Sequence, residues 1–297
     1  MKNPVFSGAA VAIVTPYTKD GIDFDKLGKL IDFQIENGTD AIVINGTTGE
    51  SSTQTIPEHL AVIEFGIRRV AGRVPVIAGT GSNDTADAIV MSVEAEKAGA
   101  DALLIVTPYY NKTSQRGLIA HFNAIADKVS IPIILYNVPS RTGLSFTAET
   151  YAALSAHPNI NGVKEASGNF ALIAKTRYLC PKDFHIWSGN DDQVIPVMSL
   201  GGLGVISVAS NVIPAEMAKM SKLFLEGKTK EACDMQIHYL DLIDKLFIDV
   251  NPIPVKAALN MMGFDVGHLR MPLVELSDVH KAQLAESMKA VGLKLAE

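Results

Sequence analysis

The chain is poor in the features that mark several classes of protein. Its 297 residues include only two cysteines, Cys180 and Cys233, too far apart for a metal knuckle. Isolated thiols in a chain of this length are expected to be reduced and packed. Cations do not predominate: 26 lysines and arginines face 32 aspartates and glutamates, for a formal net charge of −6. Without a basic stripe to track a phosphate backbone, nucleic-acid binding is not expected. No apolar run approaches the roughly 18 residues of a membrane span. The opening MKNPVFSGAAVAIVTPY has one lysine and a proline-broken apolar run, unlike a secretory leader. A soluble, cytoplasmic protein is the expectation. Low-complexity segments and linkers are also missing. So is a G-x-G-x-x-G turn after the first apolar run, which counts against an open dinucleotide-binding sheet. The 7 histidines are scattered and make no triad with a serine.

What the chain does have is apolar bulk, 47% hydrophobic residues against 20% charged, enough to fill a large core. Eight short β-rich runs recur: AAVAIVT from Ala9, DAIVING from Asp40, VPVIAGT from Val74, ADALLIV from Ala100, IPIILYN from Ile131, INGVKEA from Ile160, DFHIWSG from Asp183 and LGVISVA from Leu203. Their spacing of about 20 to 34 residues is that of one βα unit each. The segments between read as helices. Residues 24–38 carry apolar residues at helical spacing with Gly38 at the C-terminal cap. Residues 56–72 place Pro57 in the first turn and arginines in the last. Residues 83–100 begin on capping residues and end near Gly99. Runs continuous in Val, Ile and Leu suit strands buried on both faces, as in parallel sheets. Eight repeats in about 225 residues predict an α/β fold, a closed (β/α)8 barrel over residues 1–227. Residues 228–297 contain no further strand pattern and read as a helical appendage packed on that barrel.

In such a barrel, chemistry gathers at the C-terminal ends of the strands. There the sequence places NGTTGES, VTPYYNK, LYNVPSRTG, GVKEASGN and WSGNDD. Lys164 is the sharpest of these signals, a charge ending an apolar strand. Alternation along the strand makes Ile160 and Gly162 face inward if Lys164 does, Gly162 leaving space beneath it. Desolvation inside a barrel lowers an amine's pKa, and the neutral amine attacks a ketone to form an electron-withdrawing imine. The same position also suits a lysine that reaches solvent. Tyr136, one strand earlier at similar height, offers a phenol for proton transfer, or an ordinary buried tyrosine. Thr47 and Thr48 lie in a glycine-flanked turn able to hold a carboxylate. Arg141 is a rim cation able to take a second one, or a plain surface arginine. Asp191 and Asp192 have no matching ligands nearby; SGND reads as a capped strand-to-helix turn, and no metal is expected.

Together GTTGES (46–51), TPYYNKTSQ (107–115), YNVPSRTG (136–143), GVKEASGN (162–169) and NPIPVK (251–256), in this order, resemble the dihydrodipicolinate synthase family of the pyruvate-dependent class I aldolases. The resemblance runs nearly end to end. It implies that Lys164 forms a Schiff base with pyruvate while Tyr136 relays protons, linked through Thr48 to Tyr110 of an adjacent subunit. Thr47 and Thr48 would hold the pyruvate carboxylate, and Arg141 the carboxylate of aspartate semialdehyde. The backbone at Gly189 and Ile206 would lie near the bound pyruvate. No metal or organic cofactor is implied, since the imine is the electron sink. The family's usual assembly is a tetramer, a dimer of dimers. Lysine-inhibited relatives bind lysine through residues matching Ser51, His59, Asn83 and Tyr109. This chain departs from them with Ile56 in place of a histidine and Asp87 in place of a glutamate, so weak or absent lysine feedback is expected. The closest rival activity is that of N-acetylneuraminate lyase or a keto-sugar-acid aldolase, which generally lack the arginine. A pyruvate-sensing barrel without catalysis is the rival of another class.

Overall fold

The eight apolar runs become eight parallel strands that close on themselves. The computed structural model describes residues 1–296. The barrel strands are β1 (Gly8–Ala12), β4 (Ala41–Ile44), β5 (Val76–Gly79), β6 (Ala102–Val106), β7 (Ile133–Asn137), β8 (Ile160–Glu165), β9 (His185–Ser188) and β10 (Gly204–Ser207). A small antiparallel ribbon, β2 (Tyr17–Thr18) with β3 (Gly21–Ile22), follows β1. Round the barrel the order is β1-β10-β9-β8-β7-β6-β5-β4, and β1 pairs with β4 to close it.

Local chemistry sets where the surrounding helices begin and end. Asp23 caps the helix Phe24–Glu36, with Gly38 just beyond its end in the left-handed region at φ 82°. Thr55 and Glu58 form a reciprocal capping box on Ile56–Val70, with Pro57 in the first turn. Asp84 opens Thr85–Ala98, and Gly99 closes it in a left-handed conformation. Each cap satisfies backbone groups that a helix end leaves without partners.

The period of two along the strands divides the apolar side chains into two layers. One fills the barrel: Ala10, Ala12, Val43, Ile77, Leu104, Ile134, Tyr136, Trp187 and Ile206 are among its members. The other, far larger, packs strands against helices, for example Val11, Ile42 and Leu103 with Leu27, Ile63 and Phe122. Phe6 closes the barrel below the strand starts: its ring stacks on Trp187 at 5.1 Å, and its carbonyl accepts the indole N–H at 3.2 Å.

Two local expectations for β8 change. The register with β7 shifts after Ile133↔Ile160, so that Ile134 pairs with Gly162. Ile160 consequently belongs to the layer between strands and helices, not to the barrel interior. Gly162 does not provide a space under the lysine either. A Cβ there would overlap the backbone carbonyl of His185 on β9, so glycine is what lets the two strands approach.

Beyond the barrel strands the chain is helical, as expected, with Thr229–His238 and Leu240–Lys245 meeting at Tyr239. Ile253–Met261 and Asp278–Ala290 follow. This segment is fastened to the barrel rim: Gln236 donates to the Asp191 carbonyl at 2.9 Å, and Asn251 to the Thr48 hydroxyl at 3.0 Å. Cys180 and Cys233 are free thiols, the former buried. Among the described residues no helix is long and apolar enough to cross a membrane.

Candidate active site

β8 ends by sorting two neighbouring charges to opposite faces. Glu165 points away from the barrel interior, where Asn137 donates to its two oxygens at 2.9 and 3.1 Å and the Tyr151 hydroxyl at 2.8 Å. Lys164 must then face inward. Its side chain is within the barrel mouth, 5% exposed, and Nζ lies over the Tyr136 ring, 4.4 Å from the centroid. The two residues are direct neighbours in the β7–β8 register, Tyr136 opposite Lys164, as their similar height in the sequence implies.

Burial dominates the electrostatics here. It brings the Lys164 amine down to about 8, helped by the Arg141 charge and opposed by Asp191. At pH 7 about one amine in ten is then neutral, against about one in a few thousand for an exposed lysine. Burial pushes the Tyr136 phenol the other way, above its usual value, with Arg141 and a hydrogen bond from Thr47 working against the rise. The phenol therefore keeps its proton at neutral pH and is equipped to give it away. An amine poised to lose a proton beside an acid that holds one is an acid–base pair suited to carbonyl addition and dehydration.

The turn after β4 brings the threonines to this pair. Of the two, Thr47 is the one whose side chain acts on the Tyr136 phenol, holding its pKa down. Thr48 is buried one residue further on, with its hydroxyl accepting from Asn251 Nδ2. Arg141 sits on the rim in a short helix, Pro139–Thr142, and donates to the Asn251 carbonyl at 3.0 Å. Gly189 lies directly behind the lysine: a Cβ there would stand 2.7 Å from the Ala166 Cβ and 3.1 and 3.2 Å from the Lys164 Cγ and Cε. Ile206, on β10, is wholly buried in the barrel layer.

Tyr110 is not brought to this group by its own chain. It is 92% exposed at a left-handed corner, φ 68°. Asn83 braces that corner, donating to the Tyr109 carbonyl at 3.2 Å and accepting from Asn111 at 3.0 Å. Ser51, Ile56, His59, Asp87 and Tyr109 line a half-open cavity of about 370 Å³ that Thr47 and Arg141 also border. The His59 ring is buried, with Nε2 bonded to the Gly79 carbonyl at 2.7 Å, and burial pushes it below the usual imidazole value.

Sequence reasoning overlooked the roles of four residues. Asp191 was expected to cap its own turn. Instead its buried carboxylate accepts from the Val208 and Ala209 N–H groups, at 3.0 and 2.9 Å, and so shapes the chain leaving β10. Asn251 holds Thr48 and Arg141 together. Glu50 and Lys256 form a buried ion pair, Nζ to Oε1 2.8 Å. A charged residue within the apolar stretch IPVKAAL was a usable signal, because a buried charge needs a partner.

A buried lysine against a phenol, fed by a threonine turn and bordered by an arginine, stands on a barrel whose relatives can be compared over their whole length. The profile of the Dihydrodipicolinate synthetase family matches residues 5–291. A 4-hydroxy-tetrahydrodipicolinate synthase from a Thermoanaerobacter species is 57% identical over 291 residues, covering 98% of both chains. One from Caldicellulosiruptor saccharolyticus is 52% identical, covering 99% of this chain and 100% of its own. The crystal structure of dihydrodipicolinate synthase from Aquifex aeolicus superimposes with a TM-score of 0.97 at 44% identity, covering 98% of this chain and 100% of that one. The chain belongs to the dihydrodipicolinate synthetase family.

Proposed function

We propose that the chain joins pyruvate to L-aspartate 4-semialdehyde through an imine on Lys164, yielding 4-hydroxy-tetrahydrodipicolinate for diaminopimelate and lysine synthesis. The observation that carries this reading is the Lys164 amine, buried over Tyr136 and brought down to about 8. The names of relatives at 57% and 52% identity support the same reaction.

The neutral amine adds to the pyruvate ketone, and the carbinolamine loses water as Tyr136 gives its proton to the departing hydroxyl. Thr47 and Thr48 hold the pyruvate carboxylate. Loss of a methyl proton gives the enamine, which forms a carbon–carbon bond to the semialdehyde carbonyl. The amino group of the semialdehyde portion then attacks the imine carbon, closes the ring and releases Lys164. Arg141 holds the semialdehyde carboxylate, and the backbone at Gly189 and Ile206 lines the pyruvate pocket. Tyr110, projecting from its corner, serves the site of a neighbouring subunit in a homotetramer built as a dimer of dimers. The segment from residue 228, described to residue 296, is a helical appendage of the barrel, residues 1–227; residue 297 lies outside the described residues. The two free thiols agree with a cytoplasmic setting.

A coupled assay with pyruvate and aspartate semialdehyde, run beside N-acetylneuraminate cleavage, tests the assignment. Turnover of the semialdehyde pair alone is expected; preferential cleavage of the sugar acid refutes it. Arg141 at the rim favours the first outcome, because a second carboxylate needs a cation there.

Feedback by lysine is expected to be weak. In the cavity beside the site, Ile56 is half exposed and offers no polar atom, and Asp87 is one methylene shorter than glutamate. Titrating L-lysine at subsaturating pyruvate checks this, and half-inhibition below about 1 mM, a binding free energy of about 4 kcal/mol, contradicts it.

A further inference from the structure

The groups that hold the Thr47–Thr48 turn come from far along the chain. Glu50 ends the turn: its N–H donates to the Thr47 carbonyl at 3.1 Å. Its backbone is left-handed, φ 55°, a region that side chains other than glycine seldom adopt. Its carboxylate is wholly buried, and both oxygens are engaged. Oε1 accepts from Lys256 Nζ at 2.8 Å and Oε2 from the Arg270 N–H at 2.9 Å.

Lys256 is equally committed. Its side chain is 2% exposed, and Nζ also donates to the Thr15 and His268 carbonyls at 3.2 and 2.6 Å. The ammonium lies over the Tyr17 ring, 4.7 Å from its centroid. All three of its hydrogens have acceptors. The proposed chemistry uses neither charge. An ion pair this dry gives little net stability, because desolvation of two charges offsets most of their attraction. A fully bonded pair does give a fixed position.

We propose that Glu50 and Lys256 are positioning residues, which fix the turn that presents Thr47 to Tyr136 and both threonines to the pyruvate carboxylate. This rests on the imine reading above. Asn251 adds a second fastening to the same turn through the Thr48 hydroxyl. Two links from the helix Ile253–Met261 and the turn that leads into it thus converge on residues 47–50, where a displacement of about 1 Å is enough to spoil a bound geometry.

The test is the double variant Glu50→Gln/Lys256→Met, which removes both charges and leaves neither one buried alone. We expect a melting midpoint within about 5 °C of the parent, a KM for pyruvate raised about tenfold or more, and kcat lowered less than about threefold. The pH midpoint of borohydride trapping at Lys164 is expected to stay where it was, because the barrel around the amine is untouched. A folded double variant with the parental KM overturns the proposal. So does one whose trapping midpoint rises with its KM, since general loosening would wet the lysine. If the double variant does not fold, Glu50→Asp decides. It keeps the charge and draws the carboxylate back by one methylene, so KM is expected to rise about threefold, and an unchanged KM overturns the proposal. An unaltered protein that yields no reducible pyruvate adduct at Lys164 refutes the imine reading itself, before any variant is compared.

Discussion

Lys164→Met is expected to abolish the pyruvate adduct and to lower turnover by about 10⁴-fold or more, the scale on which a covalent nucleophile is lost. Methionine preserves the length of the side chain without its charge or nucleophile. Mass spectrometry after borohydride reduction should show a pyruvyl mark on the parent and none on the variant. In the parent, trapping should follow the neutral amine: about tenfold faster per pH unit below 8, then level above it. A rate that climbs undiminished to pH 10 would mean a lysine in water. The variant should also be the more stable protein. A buried lysine with a lowered pKa carries a desolvation penalty that is fully present below the folded value of about 8. The penalty disappears as pH rises toward the unfolded value of 10.5. At pH 7 its relief is about 3 kcal/mol. Thermal denaturation of parent and variant at pH 7 and pH 10 measures this, and an equal stability gain at both pH values contradicts the argument.

Arg141→Leu is expected to separate the two halves of the reaction. The guanidinium stands on the rim, tied to the Asn251 carbonyl at 3.0 Å, with its remaining donors free to grip a carboxylate. Losing charge-assisted hydrogen bonds of this kind costs about 3 kcal/mol, so kcat/KM for the semialdehyde should fall by about two orders of magnitude. Imine formation with pyruvate should persist. Its pH midpoint should move upward, because the arginine charge now holds the Lys164 amine down. Equal losses in pyruvate trapping and semialdehyde use would show that Arg141 supports the barrel mouth as a whole and does not select the second substrate.

Much of this was legible before any coordinates, for a physical reason. The strands are local signals, short β-branched runs at βα spacing, and all eight occur where those runs lie. Lys164 was legible because a charge at the end of an apolar strand must either reach solvent or serve a site, and Tyr136 because one strand pair fixes its height. Details depending on a single residue of register were not legible. The shift between β7 and β8 turned Ile160 outward, and nothing local marks it. Thr47 and Thr48 are adjacent and alike, so how each is turned depends on the path of the chain, which a fastening of Thr48 at Asn251 helps to set. Gly162 was recognised as significant for the wrong reason, because the carbonyl that excludes a side chain belongs to another strand. Asn251 and the Glu50–Lys256 pair escaped notice because their partners lie some two hundred residues away, and Asp191 because its partners are backbone groups of the next strand's exit.

That separation has a consequence for how the molecule is made. The Thr48–Asn251 and Glu50–Lys256 links span 203 and 206 positions, so a growing polypeptide can complete every strand of the barrel before either can form. Contacts of such long sequence separation form late, since loop closure must precede them. A nascent chain that has just finished β10 carries Lys164 on a shell whose Thr47–Thr48 turn is still unlatched. Both latches come from residues 251 and 256, so the turn is fastened only after all eight strands have become able to pair.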